Sequence, residues 1–219
     1  VTPALSAVYD ELLNRASAPP VEARARALRE AFLRRTSALP LLESVPEDRM
    51  VAAWDDALTT GGLAGELAPS FNDAAERALA RVLRCAHRGV FHLDRVGAHP
   101  VAFDLISGAS FVLLPRDDMA RSLPVDGDQD APLVEARIVA AADGCACLPG
   151  VIFHPPDATA LIDQIVIAAR QRSMPRDAVC DALLRMQNAF SRLSRVKIGY
   201  AYRVEALDAN ADEEVIRAL

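Results

Sequence analysis

The spacing of apolar residues changes period near residue 90. Before it, Leu5, Val8, Tyr9, Leu12 and Leu13 recur at i, i+3, i+4, i+7 and i+8, which predicts one buried face of a helix. Pro20 suits a first helical turn, where its missing N–H costs nothing, and Val21, Ala25, Leu28 and Phe32 give the following helix its stripe. Met50, Val51, Trp54, Ala57 and Leu58 predict a third helix, stopped by Gly61-Gly62. SFND offers Ser70 with Asp73 as a capping box ahead of Phe71, Ala75, Ala78, Leu79, Val82, Leu83 and Ala86, a helix that Gly89 ends. Residues 1–88 therefore read as a helical region.

From residue 90 the period is 2. Val101, Phe103 and Leu105 alternate with Ala102, Asp104 and Ile106, and Ser107-Gly108 turns the chain into ASFVLL, which predicts a hairpin. Residues 116–132, acidic and interrupted by proline and glycine, read as an exposed loop. LVEARIVAA sets Val134, Ala136, Ile138 and Ala140 on one face and Glu135 and Arg137 on the other, and Asp143-Gly144 turns it into CACLPGVIF. Asp157 then reads as the N-cap of a helix over Ala158–Arg170, apolar nearly all round as if buried on several sides. Pro175 opens another, with Val179, Leu183, Met186, Phe190 and Leu193 inward. Ile198, Tyr200, Tyr202 and Val204 alternate like an edge strand, and the acidic end is a tail or a short last helix. The expectation is an α+β fold: an N-terminal helical region over 1–88, then residues 89–219 with antiparallel strands over 90–154, as a sheet or small half-open barrel, and a helix pair over 157–195.

Composition changes this picture little. A chain of 219 residues buries a core without disulfides. Apolar residues make up 52%, but 41 of them are alanine, which favours helix-rich packing. Arginine outnumbers lysine 23 to 1, Lys197 being the single lysine, a bias expected of a GC-rich bacterial genome that discounts arginine counts as functional evidence. A net charge of −6 argues against wholesale nucleic-acid coating and leaves room for a local basic surface. VTPALSAVYDELLNRA lacks a basic stretch followed by an unbroken apolar core, so a cytoplasmic location is expected. LIDQIVIAA carries Asp163 and Gln164 and falls far short of the roughly 20 residues a membrane crossing needs.

Candidate chemistry is sparse. His154, followed by Pro155, Pro156 and Asp157, sits where a strand passes into a helix start, and no motif pairs it with a nucleophile or an orienting carboxylate. It reads as a structural junction. Cys145 and Cys147, two apart on a strand, share a face and form a weak metal half-site, with Cys85 and His87 as a poorly spaced other half, so no metal and no cofactor is expected. A hydrolase or transferase using Cys147 or His154 would need a thiol of depressed pKa. Arg77, Arg81, Arg84 and Arg88 fall within about 60° on a helical wheel, a stripe that could meet phosphates or an acidic partner. Between 170 and 203, Arg170, Arg172, Arg176, Arg185, Arg192, Arg195, Lys197 and Arg203 face only Asp177 and Asp181. No aromatic residues interleave with these arginines to stack bases. Asp126, Asp128 and Asp130 alternate as in a calcium loop, without the glutamate at position twelve. Glycine-rich phosphate loops, HExxH, GxSxG and CxxC pairs are missing from the sequence.

DLISGASF, VEARIV, DG and LPGVIFHPPDA, taken together, resemble a small β module of bacterial proteins without an assigned activity, especially those of myxobacteria and similar GC-rich organisms. The matching positions are Asp104, Leu105, Gly108, Phe111, Arg137, Gly144, Gly150, Phe153, His154, Pro155 and Ala158. The resemblance covers about a quarter of the chain, implies architecture and no substrate, and has FHP join a β unit to a helix. The expected role is a non-enzymatic cytoplasmic interaction or regulatory protein with a protein partner, working through its helical faces, with the 116–132 loop as a docking element. The alternative is nucleic-acid binding by the Arg77, Arg81, Arg84 and Arg88 stripe and the basic 170–203 region.

Overall fold

The helices α1 (Leu5–Ala16), α2 (Glu22–Arg35), α3 (Glu47–Leu58), α4 (Leu63–Leu67) and α5 (Ala74–Leu83) precede the sheet in the computed structural model, which describes residues 4–37, 45–96, 99–114, 133–141, 144–192 and 197–208. The acidic 116–132 stretch with Asp126, Asp128 and Asp130, and the residues from 209 on, lie outside the described residues. The α1 stripe is buried as predicted at Leu5, Val8, Tyr9 and Leu12. On α3 the buried face is rotated: Arg49, Ala52, Ala53, Asp55, Asp56, Ala57 and Leu58 go inside. Gly62 leaves the helix at φ 78° and opens α4.

Two boundaries move. Asp73 is itself the cap of α5, its Oδ1 accepting from the Ala75 and Glu76 amides at 2.6 and 3.1 Å, while the Ser70 hydroxyl donates to the Leu67 carbonyl at 2.6 Å, so the Ser70–Asp73 box does not form. The helix ends at Leu83 instead of Gly89, which lies in β1 (His87–Val96). A Cβ on Gly89 would stand 2.9 Å from both Asp104 Oδ1 and the Phe91 ring, so the glycine serves close strand packing.

The strands β2 (His99–Asp104), β3 (Ser110–Val112), β4 (Leu133–Ala141), β5 (Gly144–Cys147) and β6 (Ile152–Phe153) complete an antiparallel sheet in the order β3-β2-β1-β4-β5, with β6 also paired to β4. It curls until Leu113 bridges Cys145 and the Leu114 amide donates to the Cys145 carbonyl at 2.9 Å, a half-barrel as expected. Phe91, Leu93, Ala102, Leu113, Val134, Ala136, Ile138, Cys147 and Val151 form one apolar cluster inside it, with Phe111 and Cys145 packed on it.

β4 is the spine of the molecule because both of its faces are covered. Val134, Ala136 and Ile138 point into the barrel. On the other face Leu133 joins the C-terminal helices, Val139 joins the N-terminal ones, and Glu135 and Arg137 lie between. Predicted as the polar face of the strand, this pair is nevertheless buried.

The C-terminal part comprises a 3-10 turn (Pro156–Ala158), α6 (Thr159–Gln171), α7 (Arg176–Arg192), α8 (Ile198–Ala201) and a second 3-10 turn (Val204–Leu207). Asp157 lies inside the first turn and caps nothing; the Thr159 hydroxyl donates to the Pro156 carbonyl at 2.8 Å instead. α6 buries one face, Ile162, Ile165, Val166 and Ala169, and leaves Ile167 54% exposed. The predicted edge strand at 198–204 is a short helix and turn, because the neighbours Ala201 and Tyr202 both enter the core, which a strand's alternating sides do not allow. Among the described residues no helix is long and apolar enough to cross a membrane.

Candidate interaction surface and buried polar clusters

The outer face of the β1–β2–β3 ribbon carries an apolar patch. Register pairs His92 with Phe103, Asp94 with Val101, Phe103 with Ser110 and Val101 with Val112. Since Phe91, Leu93 and Ala102 point inward, alternation sends Val101, Phe103 and Val112 out, and Phe103 and Val112 are 41% and 50% exposed. On β2 the small residue faces the core and the large ones face solvent. The barrel explains the inversion: the Phe91 and Phe111 rings, 5.9 Å apart, fill the interior on either side and leave Ala102 its share. Val96, 65% exposed, extends the same face of β1.

Behind the opposite part of the sheet lies a cluster of charges. Arg88 of β1 donates to Glu135 at 2.9 Å and to Asp181 of α7 at 2.7 Å; Asp181 also accepts from Arg35 of α2 at 3.0 Å. Asp56 of α3 accepts from Arg35 and Arg137, both at 2.6 Å. The guanidiniums of Arg35, Arg88 and Arg137 stand 5.1, 5.8 and 5.6 Å from the centre of one buried ring, Phe32. Three cations thus meet three carboxylates in a site that is buried at Arg88, Arg137, Asp56 and Glu135 and reaches solvent at Arg35. Burial pushes Glu135 above the usual carboxylate range, against the pull of Arg88 and Arg137. Next to it, Asp55 accepts from the Tyr9 hydroxyl at 2.5 Å and the Gly150 amide at 2.8 Å, tying α1 to the loop after β5. Burial, outweighing these donors, pushes Asp55 up to about 6. The loop lies so close to α3 that a Cβ on Gly150 would stand 2.5 Å from Ala52 Cα.

His87, His154 and Cys147 are engaged in structure. His87 Nε2 is 2.8 Å from Asp104, which also accepts from the Ile106 and Ser107 amides and the Ser107 hydroxyl and so shapes the β2–β3 turn. Arg176 Nη1 is 2.9 Å from His87 Nδ1, so the ring lies between the guanidinium and the carboxylate. His154 is buried at the end of β6, its amide on the Leu133 carbonyl and its Nδ1 3.0 Å from the Tyr202 hydroxyl. Burial pushes the ring down to about 4. His154 and Pro155 stand between β6 and the Pro156–Ala158 turn. Cys145 and Cys147 share the face of β5 that packs on the barrel's apolar cluster, and no group of metal-binding side chains surrounds them or any other site among the described residues. Burial pushes the Cys147 thiol up to about 12, opposite to what a nucleophile requires.

The predicted arginine stripe is divided. Arg77 donates to the Phe71 and Asn72 carbonyls at the start of α5, Arg81 and Arg84 are exposed, and Arg88 leaves the helix for β1 and the buried cluster. In the basic 170–203 stretch, Arg170 donates to the Leu105 and Ile106 carbonyls, Arg172 pairs with Asp208, Arg176 meets His87, and Arg185 donates to the Arg35 carbonyl. Arg192 and Arg203 have interactions as well, and Arg195 lies outside the described residues. Sequence reasoning missed Tyr9, Arg35, Asp55, Asp56 and Asp181 as one cluster, since they come from four helices. The available signal was local: Asp55-Asp56 interrupts the apolar run from Met50 to Leu58, and Glu135 and Arg137 interrupt a strand of leucine, valine, isoleucine and alanine. Comparison of the chain with protein-family models, curated proteins and solved structures finds no match, so the geometry carries the functional reading.

Proposed function

We propose that this chain is a non-enzymatic regulatory protein that docks a protein partner on the outer face of the β1–β2–β3 ribbon. The observation that carries the reading is the contiguous exposure of Phe103 and Val112 around Val101, with Val96 along the same face. Exposed apolar groups gathered on one face mark contact surfaces, whereas scattered ones do not. The solvent sides of the helices offer less: α1 and α2 carry i, i+4 pairs such as Arg15–Glu11 and Arg26–Glu22. The whole ribbon face, which also presents His92, Asp94, His99 and Ser110 around the apolar groups, covers no more than about 300 Å². Stable complexes bury roughly 800 Å² per partner, so the contact is transient. The four cysteines stand as free thiols, which supports a reducing, cytoplasmic setting.

Photo-crosslinking in intact cells of the source organism tests this. A benzophenone side chain at position 103 or 112 should give discrete protein adducts, a probe at Arg34 or Ala160 should not, and Val101→Asp should abolish the adducts. Equal labelling from all four positions, or none from 103 and 112, would sink the proposal. The nucleic-acid reading rests on Arg81 and Arg84, which are exposed on α5. It requires affinity that falls steeply with salt and is lost in Arg81→Gln with Arg84→Gln.

A further inference from the structure

We infer that the segment 197–208 is an acid-released strap, held over α6 and α7 by the bond between Tyr202 and neutral His154. Its two elements are single turns, α8 packed on α7 and on the Pro156–Ala158 turn, and the Val204–Leu207 turn packed on α6 and α7. Single turns have no helix of their own to stabilise them, so their order comes from the side chains they bury. Those are Ala201, Tyr202, Ala206 and Leu207. The seam between the strap and α6 is open to solvent: a surface pocket of about 260 Å³ lies there, with Leu161, Gln164 and Ile165 on one side and Tyr202, Arg203 and Glu205 on the other. Segments with few buried groups along a solvent-exposed seam open at lower free energy than the core.

The buried polar anchor of the strap is the Tyr202 hydroxyl, 3.0 Å from His154 Nδ1, with the two rings edge to face at 5.9 Å, whereas the Arg172–Asp208 pair at the strap's end is exposed and long at 3.4 Å. His154 Nε2 is buried and has no hydrogen-bond partner among the described residues. Tyr202 is the titratable group that touches the ring, burial alone accounts for its depressed basicity, and no carboxylate acts on it among the described residues. Protonation would leave the Nδ1–Tyr202 contact with donor and acceptor exchanged, but it would place a charge without a counter-ion on a buried ring whose second nitrogen has no acceptor among the described residues. In the released state the ring meets water and titrates near about 6.5. Release therefore takes up one proton, and the open fraction grows about tenfold for each pH unit between about 6.5 and 4.

Hydrogen exchange by mass spectrometry on the full chain at pH 7, 5.5 and 4.5, corrected for the intrinsic pH dependence of exchange, reads this. Peptides within 197–208 should lose protection about tenfold per unit below pH 6.5, while those of β1 and β4 keep theirs. In His154→Gln, which still reaches Tyr202 and does not titrate, the same peptides should show pH-independent protection. Should that variant fail to fold, the imidazole resonances of the parent protein decide: His154 should stay neutral as long as the strap is protected. The inference is overturned if protection over 197–208 does not respond to pH, if it falls only together with that of the strands, if the slope persists in His154→Gln, or if His154 titrates while the strap stays protected.

Discussion

Asp55 and His154 are both buried, and their titrations act on stability with opposite sign. Asp55 titrates at about 6 in the fold and near about 3.9 unfolded, so the folded state binds a proton where the unfolded state does not, and its cost to stability is relieved as pH falls from about 6 to 4. His154 titrates at about 4 in the fold and near about 6.5 unfolded, so its contribution is present above 6.5 and lost as pH falls toward 4. Each slope reaches about 1.4 kcal/mol per pH unit, and over the shared window they offset one another. Asp55→Asn should therefore steepen the loss of stability between pH 6 and 4 relative to the parent, and His154→Gln should make the protein gain stability on acidification. Urea unfolding at half-unit pH steps measures both; equal slopes in all three proteins would refute the assignment. Glu135 shares the sign of Asp55 but is common to all three, so it drops out of the differences.

Among the elements, β4 shows why burial and pairing must be considered together. Removing one partner of a buried ion pair leaves an uncompensated charge, which costs about 3–5 kcal/mol, whereas replacing both with apolar groups of similar volume is close to neutral. Glu135→Gln should lower stability by about 3 kcal/mol, and Arg88→Met with Glu135→Leu should recover at least about 2 kcal/mol of it in denaturant titrations. A double variant as weak as the single one would mean the cluster depends on its charges. The class of each main element was legible in the sequence, because α1, α5, β4 and α7 repeat their apolar residues at the period of the structure they adopt. What was not legible depends on partners distant in the chain. β2 turned its valine and phenylalanine outward because aromatics on neighbouring strands had already filled the barrel, and α3 turned two aspartates inward because arginines from α2 and β4 meet Asp56 there while the Tyr9 hydroxyl and the Gly150 amide meet Asp55. Arg88 looked like the last member of a helical stripe because the sequence gives no warning that α5 stops five residues before it.

Across the whole molecule, the N-terminal helices and the half-barrel share one core. Val139, Ala146 and Leu148 pack in the same cluster as Leu12, Leu58 and Leu83. Residues 1–88 expressed alone should therefore lack the tertiary contacts of these helices and show a broad, weakly helical thermal profile by circular dichroism. A cooperative transition in that fragment would show that the helices form an independent unit. In the full chain, fluorescence of Trp54, which stacks under Arg29 at 4.1 Å, should change together with the far-ultraviolet signal.

The two-sided burial of β4 also bears on how the strand finds its place during folding. With hydrophobic groups on both faces and no charges, a strand can slide by one residue and still bury its side chains. Here a slide by one residue would drive Glu135 and Arg137 into the aromatic interior and set Val134, Ala136 and Ile138 against orphaned arginines and aspartates. The charged pair thus acts as a key that fits one alignment, and the misaligned states it rejects are those a purely apolar spine would tolerate.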